Sequence, residues 1–345
     1  MTDTTAAQSR LEAFFRKRSD DPGGVRVVGY EPILGGYSRA MARVWVEDSS
    51  QRRGYVVRAD PPPGQAIVDT DRRQEWALLS ALHSSGVIPL PAPLWFDETG
   101  DELGSPAIVM EMVEAESLLA KGRHATDPSV FAEFDRKLSE VASAIHTFDL
   151  DALPSHLMVP ASWDDYIDGR IQRWVDAEHK YPSGNPTMRF VAAWLRANKP
   201  PPAPFALVHS DFQGANVLID GDGKFLAIDW ELAHVGDPRE DLGWWILGGA
   251  LQAPEIPDPT EENFYAPYRK ATGLTEEQVN PATVAYFTVL AAEAVFTSVI
   301  EQLSLVATGE TTGMTVAYMT NAVVGMHGEF LKAININESA RRGAR

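Results

Sequence analysis

Apolar positions follow two different periods along this chain, and the change comes near residue 113. Before that point they fall in short runs. Val25–Tyr30, Ala40–Val46 and Tyr55–Arg58 are rich in Val, Tyr and Trp and read as strands. Pro61-Pro62-Pro63-Gly64 ends the third run, because consecutive prolines cannot continue a ladder. A helix is expected next, with Asp69 or Thr70 as its cap, Trp76, Leu79 and Leu82 on its apolar face, and Gly86 near its end. Pro93–Phe96 and Ala107–Val113 are further strand candidates, and Leu11–Arg18 suits a short leading helix.

After Val113 the spacing lengthens to the three-and-four pattern of helices. It predicts helices over Ser129–Thr147, Trp163–His179, Met188–Ala197, Ala282–Leu305 and Gly313–Ile336. One strand-rich island interrupts them, Ala206–Trp230, with Gly221-Asp222-Gly223 as a hairpin turn. The pattern predicts an α+β chain with a small β-rich N-terminal lobe, residues 1–113, and a larger, mainly helical C-terminal lobe, residues 114–345. No Gly/Ser run marks a flexible linker between them.

Composition removes several classes of function. Lys and Arg number 30 against 48 Asp and Glu, a net charge of −18 over 345 residues. Nucleic-acid binding needs a basic surface, and none is expected here. With no cysteine, disulfides, thiolate zinc sites and cysteine nucleophiles are out of reach. The most apolar stretch, Val284–Ile300, contains Glu293 and is short for a membrane span. The first residues, Met1-Thr-Asp-Thr-Thr5, lack the basic and apolar parts of a secretion signal, so a cytoplasmic location is expected.

The island carries the chemistry. It reads Leu207-Val-His-Ser-Asp-Phe-Gln-Gly-Ala-Asn-Val-Leu-Ile219, then Leu226-Ala-Ile-Asp-Trp-Glu231. Phosphoryl transfer needs a carboxylate to orient and deprotonate the acceptor hydroxyl, and oxygen ligands for the Mg²⁺ that bridges the phosphates. Asp211 is the candidate base. Asn216, five residues on, offers an amide oxygen to the metal, and Asp229 offers a charged one. The spacing follows the logic of the protein-kinase catalytic loop and its metal-binding aspartate. Singly, Asp211 and Asn216 would read as turn caps. His209, Asp211, Asn216 and Asp229 together favour catalysis.

These residues resemble the aminoglycoside phosphotransferase family, whose signature is H-G-D-x-x-x-x-N followed by I-D-W/F. The continuation agrees, with G-D-P-x-x-D-L matched at Gly236, Asp237, Pro238, Asp241 and Leu242. The whole run from Asp229 to Trp244 is most similar to a branch of kinase-like domains associated with acyl-CoA dehydrogenases, some of which phosphorylate hydroxyacyl-CoA thioesters. The resemblance implies a protein-kinase-like bilobal fold over almost the whole chain, with ATP and Mg²⁺ as cofactors and a small-molecule hydroxyl as acceptor. It implies a nucleotide-covering loop at Leu34–Arg39, where Gly35 and Gly36 admit the phosphates and Ser38 adds a hydroxyl. Arg58 takes the place of the usual strand lysine, with Glu75 as its acidic partner. The backbone of Glu111 and Val113 would meet the adenine edge. His209 and Asp241 would tie the catalytic loop to the helical lobe, and Glu231 would bind metal or substrate, or the local backbone.

Two departures stand out. Ser210 occupies the family's usual glycine position, which restricts the backbone if φ must be positive there. Trp244-Trp245 follows the G-D-P element and either packs the helical core, the expected role, or lines the acceptor site. Arg170, Arg173 and Lys180 share a helix face and are either an ordinary solvated stripe or a site for CoA phosphates. Three acceptors stay open: a hydroxyacyl-CoA or hydroxy acid, an aminoglycoside, and a macrolide or other alcohol. An alternative of another class is a regulatory pseudokinase that binds nucleotide without transferring phosphate.

Overall fold

The computed structural model describes residues 4–33, 40–49, 51–60, 71–179, 186–253, 256–293, 296–297, 300, 305–306, 308–309 and 314–343. The chain divides into two compact units. One comprises residues 1–115, 152–156 and 220–231; the other comprises 116–151, 157–219 and 232–345.

The first unit is built on a five-stranded antiparallel sheet in the order β1-β2-β3-β5-β4, from β1 (Arg26–Ile33), β2 (Ala40–Glu47), β3 (Arg52–Ala59), β4 (Pro93–Asp97) and β5 (Ala107–Glu111). Period-two alternation sends Tyr55 and Val57 of β3 to one face. There they pack with Val44, Val46 and Val109 against Phe14 and Phe15 of helix α1 (Thr4–Arg16). Arg58 therefore falls on the opposite face from Val57 and sits in register between Met41 and Ile108. Helix α2 (Arg72–Ser85) buries Arg72, Glu75, Leu78, Leu79 and Leu82. Its cap is Asp71, whose carboxylate accepts from the amides of Arg73 and Gln74, an arrangement that stabilises a helix by about 1 kcal/mol. Asp69 and Thr70, the expected caps, lie outside the described residues. Gly86 closes the helix at φ 65°, as its position in the sequence predicts.

The second unit is mainly helical. After β6 (Ala115–Ser117) and the short α3 (Leu118–Arg123) come α4 (Ser129–His146), α5 (Trp163–His179) and α6 (Pro186–Ala197), all near the predicted bounds. β7 (Ala206–Val208) pairs antiparallel with β10 (His234–Gly236); of the two runs of the predicted hairpin, β8 is Val217–Asp220 and β9, which belongs to the first unit, is Phe225–Ala227. Helices α7 (Arg239–Gln252), α8 (Ala266–Thr272), α9 (Pro281–Ala291) and α10 (Met314–Gly343) follow. Within the helix predicted over 282–305, α9 is followed by a turn at Ala292, and the described residues 293, 296–297, 300 and 305–306 are again helical. Trp174, Trp194, Tyr286, Phe287 and Phe330 lead a buried cluster that joins α5, α6, α9 and α10. α7 runs against α9 so closely that a Cβ on Gly243 would lie 2.3 Å from the backbone carbon of Phe287. Among the described residues no helix is long and apolar enough to cross a membrane.

Candidate active site

In the helical unit the site is a loop that leaves β7 and is held by an acid from α7. The Asp241 carboxylate accepts from the backbone N–H of His209 at 2.8 Å and of Ser210 at 2.8 Å. It also contacts Nε2 of His146 at 3.0 Å, whose other ring nitrogen meets the Tyr268 hydroxyl at 2.7 Å. Asp241 and His209 are wholly buried. Asp241 therefore spans loop, α4 and α7, the architectural part expected of it. Neither His146 nor Tyr268 was identifiable beforehand, because a helix-terminal histidine and a tyrosine 38 residues past the island share no motif.

Asp211 follows directly on this anchored pair. Its Oδ1 accepts from the Trp244 indole N–H at 2.8 Å and from the Gln213 side-chain amide at 2.6 Å. Its Oδ2 accepts from the Asn216 amide at 2.6 Å. Asn216 spends its N–H group on Asp211 and keeps an amide oxygen as acceptor, the atom a hard cation prefers. The two adjacent tryptophans separate in function. Trp245 is buried with its ring 5.6 Å from Phe212, as core packing predicts. Trp244 packs partly on the helical core but turns its one polar atom to Asp211.

In the β-rich unit the centre is Arg58. Its guanidinium lies 3.1 Å from Glu75, 2.5 Å from Asp229 and 3.8 Å from Glu231. Burial works against its charge, but the three carboxylates outweigh burial and raise its pKa above the ordinary arginine value. Arg72, missed in the sequence although it stands three residues before Glu75, meets Glu75 at 2.5 Å and Asp60 at 2.8 Å. Four formal carboxylates thus face two guanidiniums and leave two negative charges. This local balance and the all-oxygen donors suit a divalent hard cation. Among the described residues no group of three or more His, Asp or Glu is arranged to hold a metal by itself. Asn216 in the helical unit and Asp229 in the β-rich unit each carry an oxygen of the kind a hard divalent cation takes.

Several remaining expectations meet the structure. Glu111 ends β5, and its N–H is taken by the Ala92 carbonyl at 2.9 Å. Gly35, Gly36 and Ser38 lie outside the described residues, as does Lys180. The basic stripe on α5 is corrected. Arg170 is turned inward, 3.0 Å from Glu240 on α7, and is unavailable to a phosphate. His234 bonds the Tyr166 hydroxyl at 2.9 Å and contacts the Leu232 carbonyl at 3.2 Å, a local role. The G-D-P element is structural. Asp237 and Arg239 form a buried pair at 2.7 Å, and the Trp163 indole donates to Asp237.

A β-rich unit with a strand arginine and helix glutamate, and a helical unit with an anchored H-S-D-x-x-x-x-N loop, define a kinase-like protein. The chain belongs to the phosphotransferase enzyme family, whose model matches residues 29–283. It is accordingly a phosphotransferase of the class that uses hydroxyl acceptors. A mouse protein named acyl-CoA dehydrogenase family member 10 is 28% identical over 203 residues, which make up 56% of this chain and 18% of that protein. The chain thus spans less than a fifth of that relative's length. A solved structure from Ralstonia eutropha JMP134, provisionally assigned as an aminoglycoside phosphotransferase, is 19% identical with a TM-score of 0.72, covering 96% of this chain and 98% of that one. A thermostable mutant aminoglycoside phosphotransferase, solved with AMP-PNP and hygromycin B, is 15% identical with a TM-score of 0.61, covering 94% and 98%. At these identities the two structures establish the kinase-like fold.

Proposed function

We propose that this chain is an ATP- and magnesium-dependent kinase that places the γ-phosphoryl group on the hydroxyl of a small molecule. The observation that carries this reading is the Asp211 carboxylate, fixed by N–H donors from Trp244, Gln213 and Asn216 on a loop that Asp241 anchors. A carboxylate so oriented suits a general base, which acts only within hydrogen-bond reach of its proton. Asp211 accepts the hydroxyl proton as the acceptor oxygen bonds to the γ-phosphorus. The bond from that phosphorus to the β,γ-bridging oxygen breaks, and ADP leaves with the electron pair. Arg58 presents its planar fork to the phosphates, and Glu75 keeps it in place. Magnesium, held by Asn216 and Asp229, would neutralise charge on the phosphate oxygens. Gly35, Gly36 and Ser38 would cover the phosphates, while the Glu111 carbonyl and Val113 N–H would read the adenine edge.

For the acceptor we favour a hydroxyacyl-CoA or related hydroxy acid. The run from Asp229 to Trp244 and the mouse relative support it. The structure solved with hygromycin B supports an aminoglycoside as the competing choice. A chain without cysteine suits the reducing cytoplasm. The test is mass spectrometry of products after incubation with Mg·ATP and a panel of 3-hydroxyacyl-CoA thioesters, aminoglycosides and macrolides. One added phosphoryl group on the thioester is expected. Transfer to an aminoglycoside alone would reverse the order of acceptors. Nucleotide binding with no transfer anywhere on the panel would contradict the kinase reading and leave a regulatory pseudokinase.

A further inference from the structure

α7 places Asp241, Trp244, Gly248 and Gln252 at intervals of three, four and four residues, which is one stripe of a helix. Every member of that stripe meets the catalytic loop. Asp241 takes the backbone N–H groups of His209 and Ser210. Trp244 donates to Oδ1 of Asp211 at 2.8 Å. A Cβ on Gly248 would lie 3.2 Å from the Gln213 Cβ, so the missing side chain lets Gln213 lie against the helix. The Gln252 amide donates to the Gln213 carbonyl oxygen, which turns the Gln213 amide nitrogen toward Asp211. The stripe itself is fixed from behind, where Gly243 abuts the α9 backbone.

We infer that Trp244 is a positioning residue for the catalytic base, with the Gln252–Gln213 pair as its second support. This rests on the reading of Asp211 as the base. The chemistry of the indole fits the task. It is a donor only, so it can hold a carboxylate but cannot compete for the substrate proton. Its ring is partly buried against the helical core, which fixes the direction of its one N–H. Gln213 belongs to the loop and moves with it, whereas Trp244 ties the carboxylate to the body of α7. Phenylalanine would keep the packing and lose the bond.

The test uses the full chain labelled with ¹⁵N at its tryptophan indoles, alongside Mg·ATP turnover with water as acceptor. Trp244→Phe identifies the Trp244 indole signal by its loss. That signal is expected to lie downfield in the parent, as for an N–H bound to a carboxylate, and to move upfield in Asp211→Asn. Losing one hydrogen bond to a charged group costs roughly 10- to 100-fold, so kcat of Trp244→Phe should fall by that factor with KM for ATP held. Trp194→Phe, a like truncation in the core cluster, is the control and should lower thermal stability without moving kcat. An indole signal indifferent to Asp211→Asn would overturn the inference whatever the turnover. So would a Trp244→Phe rate within twofold of the parent while Asp211→Asn is inactive, an outcome that leaves the base assignment standing. If Asp211→Asn keeps the parent rate, the base assignment fails and the inference with it.

Discussion

Two described residues hold left-handed backbone without being glycine: Ser210 of the helical unit at φ 71° and Asp229 of the β-rich unit at φ 70°. Such geometry costs an ordinary residue roughly 1–2 kcal/mol and clusters at functional sites. At Ser210 it follows from the anchoring, since the N–H groups of residues 209 and 210 must both converge on Asp241. Ser210→Gly removes the Cβ strain but loosens the unfolded chain, so a net gain of up to about 1 kcal/mol is expected, read as a higher urea midpoint. A lower midpoint would mean the serine side chain contributes more than its strain costs. The Arg58–Glu75 pair was legible in advance, since an arginine ending a strand and an acid on the next helix can meet. Trp244 was not legible as a donor, because the direction of an indole N–H depends on how α7 packs. Arg170 was misread because periodicity gives the face of a helix and is silent about an acid across it.

Among the elements, α7 joins more of the site's contacts than its length of fourteen residues implies. One stripe serves the catalytic loop, while Glu240 faces α5. Burial alone would raise the Glu240 carboxyl, but Arg170 at 3.0 Å, His234 and the Tyr166 hydroxyl at 2.5 Å hold it down at about 2. A folded-state pKa below the ordinary 4.5 contributes stability that is complete above 4.5 and lost as pH falls from 4.5 toward about 2. The expected contribution at neutral pH is roughly 3 kcal/mol. Thermal unfolding between pH 7 and pH 3 should therefore show Glu240→Gln destabilised at neutral pH, with the gap to the parent closing in acid. Parallel curves would show that the pair between α5 and α7 contributes nothing. Elements set by strong local pattern were readable: α5 matches its predicted bounds, and β1, β2 and β3 come within three residues. The cap of α2 was misplaced because acidic and polar residues crowd residues 69–71, and only backbone geometry selects Asp71. The interruption at Ala292 was not legible in the helix predicted over 282–305, because a continuous apolar run carries no signal for a break.

Across the whole chain the excess of acid is general, −18 in net charge, yet its local use differs between the units. Around Arg58, carboxylates outnumber guanidiniums by two, a balance that a divalent cation would correct. Around Asp211 the acid accepts from the neutral N–H donors of Trp244, Gln213 and Asn216. The first arrangement suits a metal with a polyphosphate, and the second suits a carboxylate that must take a proton. Two compact units, family membership and this division of charge lead to the same chemistry. The most direct measurement of it compares the parent chain with Asp211→Asn for Mg·ATP binding by calorimetry and for phosphoryl transfer by product mass. The account predicts that the variant binds Mg·ATP as the parent does and transfers phosphate ~10²–10⁴-fold more slowly. Transfer by Asp211→Asn at the parent rate would contradict it.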